Sequence, residues 1–184
     1  MEGGRPMGRT LTVLIPLLTA ALVLAACSQE PALDPNKQYV ATISTDKGDI
    51  VVELRADKAP KTVANFVKLA REGFYDGLTF HRVEPGLLVQ GGDPAGNGTG
   101  GPGYDLPAEI SDLKHLPGTV AMARRPDEVN PERRSSGSQF YICLTALPML
   151  DGQYTIFGQV VEGLDVAAQI APGDVMRKVT ISER

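Results

Sequence analysis

Residues 80–94 read FHRVEPGLLVQGGDP, and this stretch decides the fold class. Two short apolar runs, Thr79 to Val83 and Leu87 to Gln90, lie on either side of Pro85 and Gly86. Apolar runs of this length, bounded by proline and glycine, are typical of β-strands joined by tight turns. The stretch therefore predicts short strands and no helix.

The same alternation of apolar runs with glycine and proline continues along the chain. Further strand-like segments are Thr119 to Ala123, Gln139 to Leu144, Ile156 to Val161 and Val175 to Ser182. This rhythm favours a closed antiparallel β structure over alternating strands and helices. A short helix is predicted around Leu164 to Ile170, before the last strand.

The sequence before residue 79 predicts a hairpin and a longer helix. Tyr39 to Thr45 and Asp49 to Leu54 are strand-like, and Gly48 between them can take the positive φ of a tight turn. Pro60 begins a helical pattern that Gly73 ends. The apolar face of this helix consists of Val63, Phe66, Val67 and Ala70.

The composition is that of one globular domain with short appendages, since 42% of the 184 residues are hydrophobic and 22% are charged. Aromatic residues make up 5% and tryptophan is absent, so aliphatic side chains must supply most of the core. The formal net charge is −4. This acidic balance argues against nucleic-acid binding.

Residues 1–26 have the features of an export signal. Arg5 and Arg9 precede an apolar stretch from Leu11 to Leu24, which is short for a membrane span. The segment ends in Leu24-Ala25-Ala26-Cys27, which resembles the bacterial lipobox, where the cysteine is acylated and becomes the first residue of the mature protein. An ordinary secretory signal with an incidental cysteine is the alternative.

Three regions follow from this interpretation. Residues 1–26 are the signal peptide, residues 27–38 hold the lipidated Cys27 and a flexible tether, and residues 39–184 form the folded domain. The tether is polar and contains proline, which suits an extended linker. We therefore expect a protein outside the cytoplasm, anchored by its lipid to a bacterial cell membrane.

Several motifs follow one another in a characteristic order. They are Phe80-His81-Arg82-Val83, Gln90-Gly91-Gly92-Asp93-Pro94, Gly137-Ser138-Gln139-Phe140-Tyr141-Ile142, Leu150-Asp151-Gly152 and Phe157-Gly158-Gln159-Val160. Together they resemble the cyclophilin family of peptidyl-prolyl cis/trans isomerases over residues 39–182. The resemblance implies a mainly β fold, a closed eight-stranded antiparallel barrel capped by two helices, with a peptide groove on its outer face.

The activity that the resemblance implies needs few reactive groups. An X-Pro bond prefers trans by only about 0.5–1 kcal/mol, but amide resonance makes the exchange slow. Only the barrier must fall and no bond is cleaved, so no nucleophile, metal or cofactor is expected. The resemblance implies two catalytic residues: Arg82, which donates a hydrogen bond to the prolyl nitrogen of the twisted transition state, and Gln90, which contacts the substrate backbone.

The resemblance also implies a substrate-binding set around these two residues. Its members are Leu87, Leu88, Met122, Ala123, Arg124, Gln139, Tyr141, Leu150 and Tyr154. Leu87 replaces a phenylalanine and would loosen the proline pocket, and Met149 replaces a tryptophan at the position that contacts cyclosporin. Tyr154 replaces a histidine but keeps an aromatic wall. Arg124 replaces an asparagine, and its main chain is expected to pair with the peptide.

Three other features receive simpler interpretations. Gly96, Gly98 and Gly101 match a nucleotide-binding pattern, but prolines follow where the phosphate-binding helix should begin, so this is read as a turn-rich loop. Cys143 lies in an apolar run and is predicted to be a buried, inert thiol. His115 is predicted to be a surface residue.

The favoured function is isomerisation of X-Pro bonds in unfolded or flexible protein segments, by a monomer that assists protein folding. Two alternatives remain open: a proline-peptide binding module with little turnover, suggested by Leu87, and a surface adhesion or assembly factor, suggested by the acidic charge and the tether. Residues 125–134, which are charged and contain proline, form either a solvated loop or a loop that selects substrates.

Overall fold

A computed structural model of the chain describes residues 1, 3–4 and 33–184. Cys27, most of the expected signal segment and the first part of the tether lie outside the described residues. Within the described part of the chain, no helix is both long enough and apolar enough to cross a membrane.

The described residues are mainly β, with ten strands and two α-helices. The strands are β1 (Tyr39–Thr45), β2 (Gly48–Leu54), β3 (Arg82–Glu84), β4 (Leu88–Gly91), β5 (Asp105–Leu106), β6 (Thr119–Met122), β7 (Ser135–Ser136), β8 (Phe140–Cys143), β9 (Ile156–Glu162) and β10 (Lys178–Glu183). The helices are α1 (Pro60–Arg71) and α2 (Leu164–Gln169), and Pro148–Leu150 forms one turn of 3₁₀ helix. The predicted mainly β architecture with two helices is confirmed.

Eight of these strands form one antiparallel sheet in the order β10-β1-β2-β9-β6-β8-β4-β3. The predicted first hairpin is present, since Thr45 of β1 pairs with Gly48 of β2. The motif stretch forms a second hairpin of β3 and β4, in which Pro85 and Gly86 occupy the turn and Gly86 has a φ of 72°. A residue with positive φ after proline is what a tight turn of type II requires.

The sheet is an open half-barrel, so the prediction of a closed barrel is wrong. Strands β10 and β3 are its two edges and do not pair with each other. One isolated bridge, Thr79 with Val175, joins the segments that precede these strands, and the main-chain bonds around it include Phe80 N–H to the Asp174 carbonyl at 2.9 Å. Because β3 is only three residues long and turns at once into its hairpin with β4, the contact between the edges ends there.

The alternation of side chains along the strands creates two apolar clusters. In β8, Phe140 and Ile142 belong to the large interior cluster, whereas Tyr141 and Cys143 belong to a smaller cluster on the other face of the sheet. Leu88 of β4 also lies in the smaller cluster. Successive residues of a strand point to opposite faces, so one short strand supplies both clusters. The smaller cluster underlies the candidate site.

The interior cluster has an aromatic centre despite the low aromatic content. The ring of Phe66 on α1 lies 4.9 Å from Tyr75, 5.7 Å from Phe140 and 5.3 Å from Phe157, measured between centroids. All four side chains are buried. The expectation that aliphatic residues supply most of the core therefore omits the group of rings that joins α1 to the sheet.

The amino-terminal end of α1 is capped by a distant residue. Pro60 occupies the first turn, where a missing N–H costs nothing. The carboxylate of Glu109 accepts from the main-chain N–H of Lys61 at 3.0 Å and of Thr62 at 2.8 Å. This acidic cap satisfies two otherwise unpaired donors and complements the helix dipole. It fixes α1 against the segment that leads into β6.

Candidate active site

A cavity of about 460 Å³ lies on the outer face of the sheet, above the smaller apolar cluster. It is lined by His81, Arg82, Leu88, Gln90, Asn97, Gly98, Ala123, Arg124, Tyr141, Leu150 and Tyr154. Strands β3, β4 and β8 supply part of this lining, and the residue before β3 and the segments after β4, β6 and β8 supply the rest.

The guanidinium of Arg82 is held at the edge of this cavity by two neighbours. Its Nη1 group donates to Oε1 of Gln90 at 3.2 Å, and its Nε group donates to Oε1 of Glu84 at 3.4 Å. Arg82 and Gln90 are partners in the β3–β4 pairing, which explains why their side chains meet. The Arg82 side chain is 53% exposed, and three of its five N–H groups are not used by these bonds. It can therefore donate to a bound molecule.

Two glutamine side chains continue this series of hydrogen bonds from Arg82 into the loop after β4. Gln90 Nε2 donates to Oε1 of Gln139 at 3.0 Å, and Gln139 Nε2 donates to the carbonyls of Gly98 at 3.1 Å and Gly100 at 2.8 Å. Each amide donates through its nitrogen and accepts through its oxygen, so every hydrogen bond in the series is donated in the direction from Arg82 towards the loop. Gln90 consequently presents its oxygen to Arg82 and orients the guanidinium.

The apolar part of the cavity is bounded by side chains from the smaller cluster. Leu88, Ala123 and Leu150 are aliphatic, and the rings of Tyr141 and Tyr154 meet edge to face with centroids 5.8 Å apart. The wall is therefore partly aromatic and partly aliphatic. Such a hollow suits a small apolar ring.

A buried polar chain supports this wall from behind. His115 Nε2 lies 3.0 Å from the Tyr141 hydroxyl, and His115 Nδ1 lies 3.0 Å from Oδ1 of Asp151. Asp151 also accepts from the His115 main-chain N–H at 2.8 Å, and the backbone hydrogen bond from His115 is the main reason that its pKa is lowered. The carboxylate favours the tautomer with hydrogen on Nδ1, so Nε2 accepts from the tyrosine hydroxyl. The chain fixes the position of the Tyr141 ring.

Arg124 borders the cavity. Its side chain is held by hydrogen bonds, and its main-chain groups are available to a ligand. Its side chain is 5% exposed and donates to the carbonyl of Gln153 at 3.0 Å, and its guanidinium carbon lies 4.6 Å from the centroid of the Tyr154 ring. Within the described part of the chain, neither its main-chain N–H nor its carbonyl makes a hydrogen bond. These two groups can pair with an extended peptide.

The loop after β4 is built around the carboxylate of Asp93, which is 1% exposed. Asp93 accepts from the main-chain N–H groups of Ala95 at 2.8 Å, Asn97 at 3.0 Å and Gly98 at 2.5 Å. Burial alone would raise the pKa of this carboxyl, but the three N–H donors and nearby His81 outweigh that effect and lower it below the ordinary 3.8. Asp93 thereby positions Gly98, whose carbonyl orients Gln139.

We expect Asp93→Asn to lower the free energy of unfolding at neutral pH by about 1.5–3 kcal/mol, because hydrogen bonds to a charged acceptor contribute that much. The folded pKa lies below the unfolded value of about 4, so this stabilisation is complete above pH 4 and is lost as the pH falls through the folded pKa. Urea unfolding at a series of pH values measures it. The difference between wild type and variant should shrink in acid. Asp49→Asn, at an exposed position, is the control.

Eight of the eleven residues expected to act in catalysis or binding line this cavity. Gln139 lies behind it, bonded to Gln90. Leu87 lies at the hairpin turn, where its N–H donates to the Glu84 carbonyl at 2.9 Å, and it is 47% exposed and outside the lining. The expected loosening of the proline pocket by Leu87 stays a prediction.

The side chain of Met122 does not line the cavity, contrary to the prediction. It is fully buried in the interior cluster, whereas its neighbours Ala121 and Ala123 pack in or against the smaller cluster. Because side chains alternate along β6, the residue beside Ala123 must point to the opposite face. The exposed Met149, also considered in the sequence, lies outside the lining too.

The two residues set aside in the sequence have different outcomes. Cys143 is a buried free thiol as predicted, and burial raises its pKa to about 12. The prediction of a surface position for His115 is wrong, because its side chain is fully buried between Asp151 and Tyr141. A carboxylate thirty-six residues away provides the partner that allows this burial.

Three residues of the lining were missed in the sequence: His81, Asn97 and Gly98. His81 lies inside the quoted motif, which was the available signal. Both of its ring nitrogens are buried, neither has a partner among the described residues, and burial lowers its pKa. A neutral imidazole beside Arg82 adds no charge to compete with the guanidinium.

A guanidinium at the edge of an apolar hollow, with unpaired main-chain groups beside it, is an arrangement that can bind an extended peptide with a ring-sized apolar group. The sequence family described as cyclophilin type peptidyl-prolyl cis-trans isomerase/CLD matches residues 40–183. The chain belongs to the cyclophilin family and is a peptidyl-prolyl cis-trans isomerase.

Similar proteins cover nearly the same region. A peptidyl-prolyl cis-trans isomerase of Synechococcus elongatus is 50% identical over 143 residues, which are 77% of this chain and 94% of the relative. Peptidyl-prolyl cis-trans isomerase B of Bacillus subtilis is 47% identical over 138 residues, 74% and 92% of the two chains. A crystal structure of a Cryptosporidium parvum cyclophilin superposes with a TM-score of 0.72 at 31% identity and covers 80% and 99%.

Proposed function

We propose that this enzyme accelerates X-Pro isomerisation in protein segments outside the cytoplasm, and that Arg82 lowers the barrier by hydrogen bonding to the prolyl nitrogen. The observation that carries the proposal is the bond from Arg82 Nη1 to Gln90, which holds the guanidinium at the edge of the apolar cavity. A pyrrolidine ring seated against Leu88 and Tyr141 would bring the prolyl nitrogen within reach of the remaining N–H donors.

The physical basis is differential binding of the transition state. In planar X-Pro the nitrogen lone pair is delocalised into the carbonyl, and the barrier to rotation is about 18–20 kcal/mol. At the twisted geometry the lone pair returns to nitrogen and becomes a hydrogen-bond acceptor. A guanidinium that meets it there stabilises the transition state more than the ground state, and this raises kcat. A millionfold acceleration requires about 8 kcal/mol of such stabilisation.

Peptide pairing at Arg124 supports the same reaction. The N–H and carbonyl of Arg124 border the hollow and are open to an extended chain. Main-chain pairing fixes the peptide on one side of the X-Pro bond while the other side rotates. A related Cryptosporidium parvum structure, with a TM-score of 0.71, was crystallised in the presence of the dipeptide Ala-Pro.

The test is exchange NMR on an unstructured peptide with one X-Pro bond, using the full chain in detergent micelles. We expect faster cis/trans exchange in proportion to enzyme concentration. Peptide shift changes without faster exchange would instead identify a binding module.

We further propose that the enzyme is a monomeric lipoprotein, held at a bacterial membrane by acyl chains on Cys27. The support is the sequence Leu24-Ala25-Ala26-Cys27 after an apolar signal segment. Cys27→Ser should shift the expressed protein from the membrane fraction to the soluble fraction and abolish labelling with a radioactive fatty acid. Cys143→Ser is the matched control and should retain both. A wild type that is already soluble and takes up no fatty acid would favour an ordinary secretory signal, and a Cys27→Ser variant that stays in the membrane fraction would reject Cys27 as the anchor.

A further inference from the structure

A second hollow of about 570 Å³ adjoins the cavity that holds Arg82. The two share Gln90, Gly98, Ala123 and Arg124, so an extended peptide bound in one can reach the other. Much of the second hollow is formed by the glycine-rich segment 98–103, which leaves room for a ligand side chain.

Charged residues set the character of this second hollow. Its lining contains Arg124, Arg125 and Arg134, against one acidic residue, Asp105. This local excess of positive charge occurs in a chain with a net charge of −4. The hollow therefore differs in sign from the protein as a whole.

Arg125 and Arg134 have guanidinium groups that a ligand can reach. The side chain of Arg125 is 64% exposed and donates to Oδ2 of Asp105 at 2.8 Å. The side chain of Arg134 is 41% exposed and donates to the carbonyl of Asp105 at 2.7 Å, and its nearest carboxylate, on Glu132, lies 4.0 Å away. These contacts leave other N–H donors free on the guanidinium groups of both arginines.

The other two arginines of this region, Arg124 and Arg133, share the carboxylate of Asp127. Asp127 accepts from Arg124, and it also pairs with Arg133 at 3.1 Å. Glu128 is exposed and does not line the hollow. The positive excess in the lining thus rests on Arg125 and Arg134.

A buried asparagine holds these two arginines in place. Asn130, which is 5% exposed, donates from Nδ2 to the carbonyl of Arg134 at 2.8 Å and to that of Arg125 at 3.4 Å. Its Oδ1 accepts from the Arg134 N–H at 3.0 Å. Both ends of the loop are tied to one side chain, so the arginines are carried on an ordered backbone.

We propose that the second hollow selects peptides with a glutamate or aspartate near the isomerised proline, with Arg125 and Arg134 binding the carboxylate. This rests on the proposed function and names its preferred substrates. The planar guanidinium fork matches a carboxylate and favours it over a neutral amide of the same shape. Residues 125–134 are then a substrate-selecting loop.

The experiment compares unstructured peptides with one X-Pro bond that carry Glu, Gln or Lys two or three residues before or after the proline. Exchange NMR with the full chain in micelles gives kcat/KM for each. In at least one position, kcat/KM for the Glu peptide should be about tenfold higher than for its Gln counterpart. The Lys peptide should have the lowest kcat/KM. Added salt should reduce the ratio.

The variant Arg125→Gln/Arg134→Gln should bring the Glu-to-Gln ratio close to one. Arg177→Gln is the matched control, because Arg177 is also an exposed arginine paired with an aspartate, and it should keep the ratio. Equal kcat/KM for Glu and Gln peptides at every position overturns the selection. If no peptide is isomerised, the proposed function fails, and NMR titration of the same peptides still decides whether glutamate binds more tightly.

Discussion

Arg82→Ala is expected to isomerise X-Pro bonds about 100-fold more slowly than the wild type. Removal of one preorganised donor to a developing charge costs about 10²–10³ in kcat in enzymes that depend on such a donor. Arg82 bonds to Gln90 at the cavity edge, but Gln90 remains fixed by Gln139 in the variant. The apolar hollow should therefore persist, so kcat should fall while KM changes little.

Exchange NMR on a peptide with one X-Pro bond measures this effect, with circular dichroism to show that the variant is folded. Arg82→Lys is the informative companion, since lysine keeps the charge without the rigid fork and should give an intermediate rate. Arg177→Gln, remote in sequence and exposed, should have the wild-type rate. Wild-type turnover in Arg82→Ala would reject the role assigned to this side chain.

Phe66→Ala is expected to lower the free energy of unfolding by about 3–5 kcal/mol, as large-to-small changes of buried aromatic residues do. Phe66 is 2% exposed and contacts Tyr75, Phe140 and Phe157 with ring centroids within 5.7 Å. Its loss would leave a cavity at the only point where α1 inserts a ring between the buried aromatic residues of the described chain. For a domain of this size the melting temperature should fall by roughly 10 °C.

Urea unfolding and differential scanning calorimetry measure this loss. Phe74→Ala is the matched control, since Phe74 is only partly buried and contacts a single ring of the group, Tyr75. It should cost clearly less. Equal losses for the two variants would show that Phe66 has no central position in the core.

Local sequence was sufficient for most elements of the fold. The first hairpin follows from two strand-like runs around Gly48, and α1 follows from the apolar spacing of Val63, Phe66 and Val67 after Pro60. Strands of two residues, such as Asp105–Leu106, were not predicted. Two residues cannot show a period, and only pairing with Ser135–Ser136 makes them a strand.

The sequence predicted the main polar residues of the candidate site. It predicted less well which other side chains lie beside them. The motif stretch pointed to Arg82 and Gln90, and the structure brings both to one cavity. Met122 was misplaced because a motif records order along the chain and not the face of the sheet. His81 was overlooked although it precedes Arg82, since nothing local shows that its ring nitrogens are buried.

By itself, the sequence determined the longer strands and the helices, because side-chain periodicity and turn residues act between near neighbours, and its motifs indicated the family. Only the tertiary structure decided that the barrel stays open, that His115 is buried against Tyr141, and that Arg125 and Arg134 line one hollow. These contacts join residues far apart in the chain. Strand register and loop closure set them, and a shift of one residue in register would turn each side chain to the opposite face.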